Sequence, residues 1–340
     1  MSVNAPLLVV EGLTVSFRSD AGLVRAVAGV SFAVEQREIV GVVGESGSGK
    51  SQTLLAIMGL IDSPNAVVSG SIRFMGQELV GLNRRALDAI RGRQIAMIFQ
   101  DPMSALTPVH TIGNQIGEQV RAHEKVSARA ARARAVQLLD AVGIANPDRV
   151  VDGYPHQLSG GMRQRAVIAM ALSCNPALLV ADEPTTALDV TVQAQILELI
   201  GRLRDQFGSA VILVTHDLGV VAQVADRVLV MYGGRFVEEG RKSSVFRTPL
   251  HPYTWGLFGS IPPMDGERPA RLAAIPGAPP SLSSLPKGCA FGPRCAFRHD
   301  ACLVQLPTMR GDGHRAACVL PEARRKQFNI HKAVGVEMQR

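Results

Sequence analysis

The sequence predicts an α/β fold built on an anion-binding loop, followed by a small, loop-rich extension. Three observations predict it. An apolar run enters a glycine-rich turn and then a helical pattern in "EIVGVVGESGSGKSQTLLAIMGL" (38–60). A second apolar run, Leu178 to Ala181, ends on two consecutive acids, Asp182 and Glu183. Four of the five cysteines lie between Cys289 and Cys318.

In chain order, "LTVSFRSD" (13–20) reads as a strand end with one aromatic, Phe17. The turn at 44–51 fits G-x-x-x-x-G-K-[ST] through Gly44, Gly49, Lys50 and Ser51. Glycines 44, 47 and 49 let the backbone curl with its N–H groups inward, and the helix starting near Lys50 adds its positive dipole end. The residues expected around the bound phosphates are Gly44, Glu45, Ser46, Gly47, Ser48, Gly49, Lys50, Ser51 and Gln52. Lys50 would reach the β/γ-phosphates as a point charge, and the Ser51 hydroxyl would take a position on Mg²⁺. Leu178–Ala181 has the composition of a parallel strand buried on both faces, whose carboxyl end opens on a site. There Asp182 can hold Mg²⁺ through its water shell, and Glu183 can polarise a water for attack on the γ-phosphate. The pattern is that of an enzyme cleaving ATP.

Between these elements lies "LSGGMRQR" (158–165), and with it the chain resembles the ATP-binding cassette family. The resemblance implies a P-loop nucleotide-binding domain with an inserted helical subdomain. It also implies that Ser159, Gly160, Gly161 and Gln164 serve the nucleotide held by another subunit, Ser159 to Gly161 opening a helix whose N-terminus is an anion site. By the same resemblance Gln100 in "IFQDP" senses Mg²⁺ and the attacking water. His216 in "LVTHDL" is the switch on the γ-phosphate, Asp189 in "TALD" sits at the dimer interface, and Phe17 stacks on adenine. Each motif occurs once, so the chain owns half of each of two composite sites, and the active unit contains two cassettes.

The segment 84–156 is expected to be the helical subdomain, with periodic apolar residues in "ARARAVQLLDAVGI" (131–144). In the family it carries the groove that receives a short helix from a membrane subunit. "QDPMSALTP" (100–108) resembles the peptide-importer branch, although Thr107 stands where that branch has Asn. The cassette is expected to close near residue 245 after the hairpin pattern "RVLVMYGGRFVEEGR" (227–241), followed by a Pro-rich connector over 246–286.

Residues 287–320 carry the cysteines with spacing C-x5-C-x6-C-x15-C, from Cys289 through Cys295 and Cys302 to Cys318, ahead of a basic tail at 321–340. Four thiolates suffice for zinc or a [4Fe–4S] cluster, and spacing alone does not choose between them. "HPYT" followed by such a cluster resembles the extension of oligopeptide and dipeptide importer ATPases, which implies the iron–sulfur cluster, with zinc as the alternative. Cys174 is expected to be a small buried hydrophobe.

Of the 340 residues, 46% are apolar and the net charge is +7, with much of the excess in 121–135 and 324–340, read as a solvated helix face and a loose end. No secretory pattern opens the chain and no run reaches roughly 18 uncharged apolar residues, which predicts a protein kept in the cytosol; the importer resemblance implies that it sits peripherally on the cytoplasmic face of the inner membrane. The expected partners are a second, related cassette subunit, two transmembrane permeases and, indirectly, a substrate-binding protein, with no nucleic acid. The alternatives are a soluble cassette ATPase acting on nucleic acid or in cluster assembly, or an importer of nickel or another small solute.

Overall fold

A computed structural model of the chain describes residues 5–19, 22–186, 188–260 and 275–326. The end of the basic tail, 327–340, and residues 261–274 of the connector lie outside the described residues.

The first strands form an antiparallel sheet because β1 (Leu8–Ser19) and β2 (Gly22–Val34) alternate buried and exposed positions, as a one-sided sheet requires. β4 (Ala66–Phe74) pairs with the other edge of β1, and β5 (Gln77–Glu78) follows it, in the order β2-β1-β4-β5. β3 (Ile39–Val43), β7 (Leu178–Asp182) and β8 (Ala210–Thr215) have no exposed residue, as their unbroken apolar runs predict. With β6 (Ile95–Ile98), β9 (Arg227–Tyr232), β10 (Arg235–Arg241) and β11 (His314–Ala316) they make a second sheet in the order β11-β10-β9-β3-β8-β7-β6. The five strands from β9 to β6 run parallel. One apolar core, with Leu8, Phe74 and Ile212, lies between the two sheets and α1 (Lys50–Ile57). The other, on the opposite face, joins Ile98, Leu139 and Ile168 to the helices.

Those helices start with caps that the sequence supplies. Asn83, Thr111 and Ser127 accept from the third backbone N–H beyond them and open α2 (Arg84–Ile90), α4 (Ile112–His123) and α5 (Ala128–Ala141). Short turns, α3 (Pro102–Ala105) and α6 (Pro147–Val150), flank the latter two. Ser159 caps α7 (Gly160–Ala171), and Asp189 caps α8 (Val190–Phe207), which ends on Gly208 at φ 73°. α9 (Leu218–Val224) and α10 (Lys242–Arg247) cover the sheet beside β9 and β10.

Two expectations about boundaries are corrected. β6 lies inside 84–156 yet pairs with β7 in the parallel sheet, so the helical body begins only after Gln100; four apolar residues are too short a run to stand out from a helical pattern. Nor does the cassette end near 245. β11, from the cysteine region, pairs antiparallel with β10 and extends the central sheet.

The join between the two regions is made by Glu238, fully buried on β10. Its carboxylate accepts from Leu250 N (2.7 Å), His251 N (2.9 Å) and Thr254 Oγ1 (2.6 Å) at the start of α11 (Pro252–Gly259), and pairs with His314 Nε2 (2.7 Å) on β11. Glu238→Ala would strand four partners at once, three of them buried. It is expected to destabilise the protein by about 3–5 kcal/mol, seen as a lower urea midpoint, with Glu238→Gln recovering part of the loss.

Candidate nucleotide site and cysteine module

The anion loop leaves the carboxyl end of β3 and enters α1 with Gly49 at φ 108°. A Cβ at Gly44 would lie 2.2 Å from the Met231 carbonyl oxygen, and one at Gly49 would lie 2.3 Å from that of Ala26, so β9 and β2 leave room only for glycine. Gly47, at φ 75°, has nothing within 4 Å. Lys50 is buried and its Nζ donates to the carbonyls of Gly44 (2.8 Å) and Glu45 (3.0 Å), across the mouth of the loop. Burial lowers the Lys50 pKa against the pull of Glu183, Asp182 and Glu45, and a phosphate would add to the pull toward the charged form.

The Ser51 hydroxyl bonds to Asp182, whose carboxyl is pushed up by burial. Among the described residues Asp182 Oδ1, Gln52 Oε1 and Ser48 Oγ are buried without a partner. Orphaned oxygens around a phosphate loop fit a hydrated divalent cation and its nucleotide, because a buried acceptor left unpaired is costly.

Glu183 follows β7 in the left-handed region at φ 47°, a strained conformation for a side-chain-bearing residue, fixed by its N–H to Val214 O at 2.9 Å. The conformation aims the carboxylate at three neighbours. Gln100 Nε2 donates to Oε2 at 3.1 Å, Thr186 Oγ1 donates to the same oxygen at 3.0 Å, and His216 Nδ1 lies 3.1 Å from Oε1. Burial pushes its pKa up, but the hydrogen bonds from His216 and Thr186 and the charges of His216 and Lys50 prevail and hold it below the usual glutamate value. Thus Gln100, Glu183 and His216, far apart in the chain, meet at one carboxylate. Thr186 was missed, although it stands in the same "DEPTTALD" run.

The signature residues are elsewhere. Ser159 Oγ accepts from Met162 N (3.3 Å), Gly160 is exposed, and Gly161 abuts Val192, whose Cγ1 would lie 2.9 Å from an added Cβ. Gln164 is buried with Nε2 unpartnered. α7 packs on α3, α4, α5 and β6, whereas α1 packs on β1, β2 and β7, so the helix after the loop and the signature helix lie against opposite faces of the central sheet. Asp189 Oδ1 accepts from Val192 N (2.9 Å) as the α8 cap. Phe17 is half-buried on β1, opposite Val24 and Ala66. Cys174 is only half-buried, its Sγ 3.9 Å from Gln119 O, which corrects the expectation of a fully buried thiol. A cavity of about 690 Å³ beside Gln100 is lined by Met58, Leu60, Met97, Phe99, Val167 and Met170.

In the tail, Cys289, Cys295, Cys302 and Cys318 line one closed cavity with Phe291 and Phe297. Gly288 lets the chain pass within 2.2 Å of Cys302 O, measured to an added Cβ, and Cys289 N donates to that oxygen at 2.8 Å. Backbone N–H groups of Phe291 and Gly292 bond to the Cys289 sulfur, that of Phe297 to Cys295 and that of Leu320 to Cys318. Burial nonetheless raises all three thiols, Cys295 to about 11, so thiolates here need a cation. The donor set fits a soft metal. The free space, about 10 Å³, is no more than a water needs. Among the described residues no group of three or more His, Cys, Asp or Glu side chains is arranged to hold a metal ion.

Comparison with known proteins agrees with the fold and the motifs. Residues 27–186 match the ABC transporter family, and residues 237–302 match the oligopeptide/dipeptide transporter C-terminal region. The oligopeptide transport ATP-binding protein OppD of Mycobacterium tuberculosis is 52% identical over 321 residues, 94% of this chain but 52% of that protein, so the chain spans about half the length of this relative. OppD of Bacillus subtilis is 51% identical over 304 residues, 89% of this chain and 85% of that protein. A dimeric ATP-binding cassette solved in a post-hydrolysis state with ADP and Pi matches with a TM-score of 0.62 at 29% identity, over 69% of this chain and 98% of that one. With a phosphate loop, a single signature and a tail that all match, this chain belongs to the ABC transporter ATP-binding family, in the group that carries the oligopeptide/dipeptide transporter C-terminal region.

Proposed function

We propose that the chain is the ATP-hydrolysing motor subunit of a membrane peptide importer. The observation that carries this reading is the convergence of Gln100, Thr186 and His216 on the Glu183 carboxylate, next to the Ser51–Asp182 pair at the end of the phosphate loop. Lys50 turns from the Gly44 and Glu45 carbonyls to the β/γ-phosphates, and Phe17 carries the adenine. Ser51 and Asp182 would hold Mg²⁺, with Gln100 beside it; when bound, the ion would supply neutralisation of the phosphoryl charge. Glu183 takes the proton from the water that attacks the γ-phosphorus as the bond to the ADP oxygen breaks, while Gln100 and His216 orient that water and the γ-phosphate.

Because the signature helix lies on the opposite face of the central sheet from the helix after the phosphate loop, Ser159, Gly160, Gly161 and Gln164 complete the site of a second cassette, a related but different chain, with Asp189 at the interface. The dimeric state of the solved cassette with ADP and Pi supports this arrangement. The cavity that Phe99 lines, with apolar Met58, Leu60 and Met170 and charged Asp88 and Arg91 around it, seats a short helix from one of two permease subunits, so closure at the nucleotide moves the membrane partner. Among the described residues no helix is long and apolar enough to cross a membrane, which accords with peripheral attachment at the cytoplasmic face of the inner membrane. Peptide cargo, delivered by a substrate-binding protein, is supported by the tail family and the named relatives. Purification from native membranes in detergent is expected to bring down two permeases and a second cassette. Full ATP turnover by the isolated monomer, or turnover stimulated by DNA or RNA, would overturn the reading.

The same proposal gives the four cysteine thiols an iron–sulfur cluster, supported by their common cavity and the N–H groups on three sulfurs; such a cluster, when bound, cross-links the loops of the module. With about 10 Å³ free in that cavity and, among the described residues, no three thiols arranged around one point, the loops must rearrange to admit it. Anaerobic purification is expected to give a brown protein with iron and sulfide. A colourless protein holding zinc would move the assignment to zinc, and a metal-free one would remove it.

A further inference from the structure

The cysteine module touches the phosphate loop through one side chain. Arg294 lies in the short turn Gly292–Arg294, between Cys289 and Cys295, and is 8% exposed. Its guanidinium forms a fork on Glu45, the second residue of the phosphate loop, with Nη1 to Oε2 at 2.6 Å and Nη2 to Oε1 at 3.0 Å. Its other N–H groups donate to Pro276 O (2.9 Å) and the Tyr232 hydroxyl (3.2 Å), which sets the plane of the fork. Glu45 is held at its backbone as well, for its N–H donates to the Tyr253 hydroxyl at 2.7 Å and its carbonyl accepts from Lys50. Tyr232, Tyr253 and Phe291 stack into one aromatic cluster beneath this arrangement, with ring centroids 4.5–5.4 Å apart. Phe291 also lines the cysteine cavity. One rigid path therefore runs from the thiols to the curl of the loop.

A planar, bidentate pair in a partly desolvated place holds position as well as charge. The loop must present its N–H groups to phosphate without first losing conformational freedom, and a loop fixed beforehand binds more tightly than a loose one. We propose that Arg294 is a positioning residue that makes nucleotide affinity at the phosphate loop depend on the fold of the cysteine module, through its partly buried pair with Glu45. The inference rests on the assignment of residues 44–51 as the ATP site and adds to it a route by which the tail acts on that site.

The test is the affinity for Mg·ATP of full-length variants, followed with a fluorescent ATP analogue, together with steady-state hydrolysis. Arg294→Gln and Glu45→Gln are each expected to weaken binding about tenfold. The double variant is expected to be no weaker than either single one, since both remove the same pair. Arg294→Lys, which keeps the charge and loses the fork, should fall between. In Arg294→Gln the KM for ATP rises while kcat at saturating ATP stays within about twofold, because the groups around Glu183 are untouched. Cys289→Ser, which loosens the module, should weaken ATP binding about tenfold in the wild-type background and have no effect in Arg294→Gln. Equal thermal midpoints for Arg294→Gln and Arg294→Lys would separate positioning from general destabilisation. Wild-type affinity in Arg294→Gln, or additive losses in the double variant or in Cys289→Ser with Arg294→Gln, would overturn the inference. Wild-type protein that fails to bind ATP at all, as Lys50→Ala is expected to fail, would instead sink the nucleotide-site assignment.

Discussion

Glu183→Gln is expected to lower ATP turnover by about 10²–10⁴-fold while leaving Mg·ATP binding intact. The amide keeps the size of the carboxylate and can still meet Thr186 and His216, so the left-handed turn after β7 has the same contacts to hold it. It cannot accept a proton from water. Binding energy is then retained while the step that relaxes the closed state is lost, and two cassettes should accumulate as an ATP-bound pair on size-exclusion chromatography. The wild-type pH profile offers a second check. Because the Glu183 pKa is held below its ordinary value of 4.5, the carboxylate remains ionised as the pH falls from 7 to 5. Any loss of rate across that window therefore comes from another group, and protonation of the base sets in only below it. A variant with turnover within tenfold of wild type would remove Glu183 from the role of base.

The parts of this site that could be read from sequence are those made by neighbours in the chain. The phosphate loop is a local device, in which the spacing of Gly44, Gly49 and Lys50 dictates a curl whatever surrounds it. Asp182 and Glu183 were legible because four apolar residues in front of them fix a strand and its end. The convergence of Gln100 and His216 on Glu183 came only from the family resemblance, since each ends a different strand and nothing in the spacing joins them. Arg294 on Glu45 was not legible at all. The pair spans 249 positions, and a single arginine beside a cysteine carries no periodic signal. β6 and β11 escaped for a related reason, being four and three residues long and defined by their sheet partners rather than by their own pattern. For the cysteines, the sequence offered a four-thiolate metal site; the structure brings the four to one small cavity but, among the described residues, arranges no three of them to hold an ion, because the separation of the sulfurs is not encoded in their spacing.

The glycines of the phosphate loop are expected to differ sharply in their tolerance of a methyl group. Gly49→Ala should abolish nucleotide binding, whereas Gly47→Ala should weaken it by no more than about tenfold. Both have positive φ, so each alanine carries the strain of a left-handed conformation, roughly 1–2 kcal/mol. At Gly47 that is the whole cost, because nothing lies within 4 Å of the added carbon. At Gly49 the carbon would meet the Ala26 carbonyl at 2.3 Å and the Met231 methyl at 2.8 Å. The methyl can move, but the carbonyl belongs to β2, where Val27 and Val15 pair between β1 and β2 and Val30 is buried behind them. Relief must then come from the loop, which would lift away from β2 and carry the N-terminus of α1 and Lys50 with it. Isothermal titration of both variants with Mg·ATP, alongside their thermal midpoints, measures the contrast. Equal affinities would mean that the loop is free to shift as a body, and the close approach to β2 would then have no part in holding the phosphates.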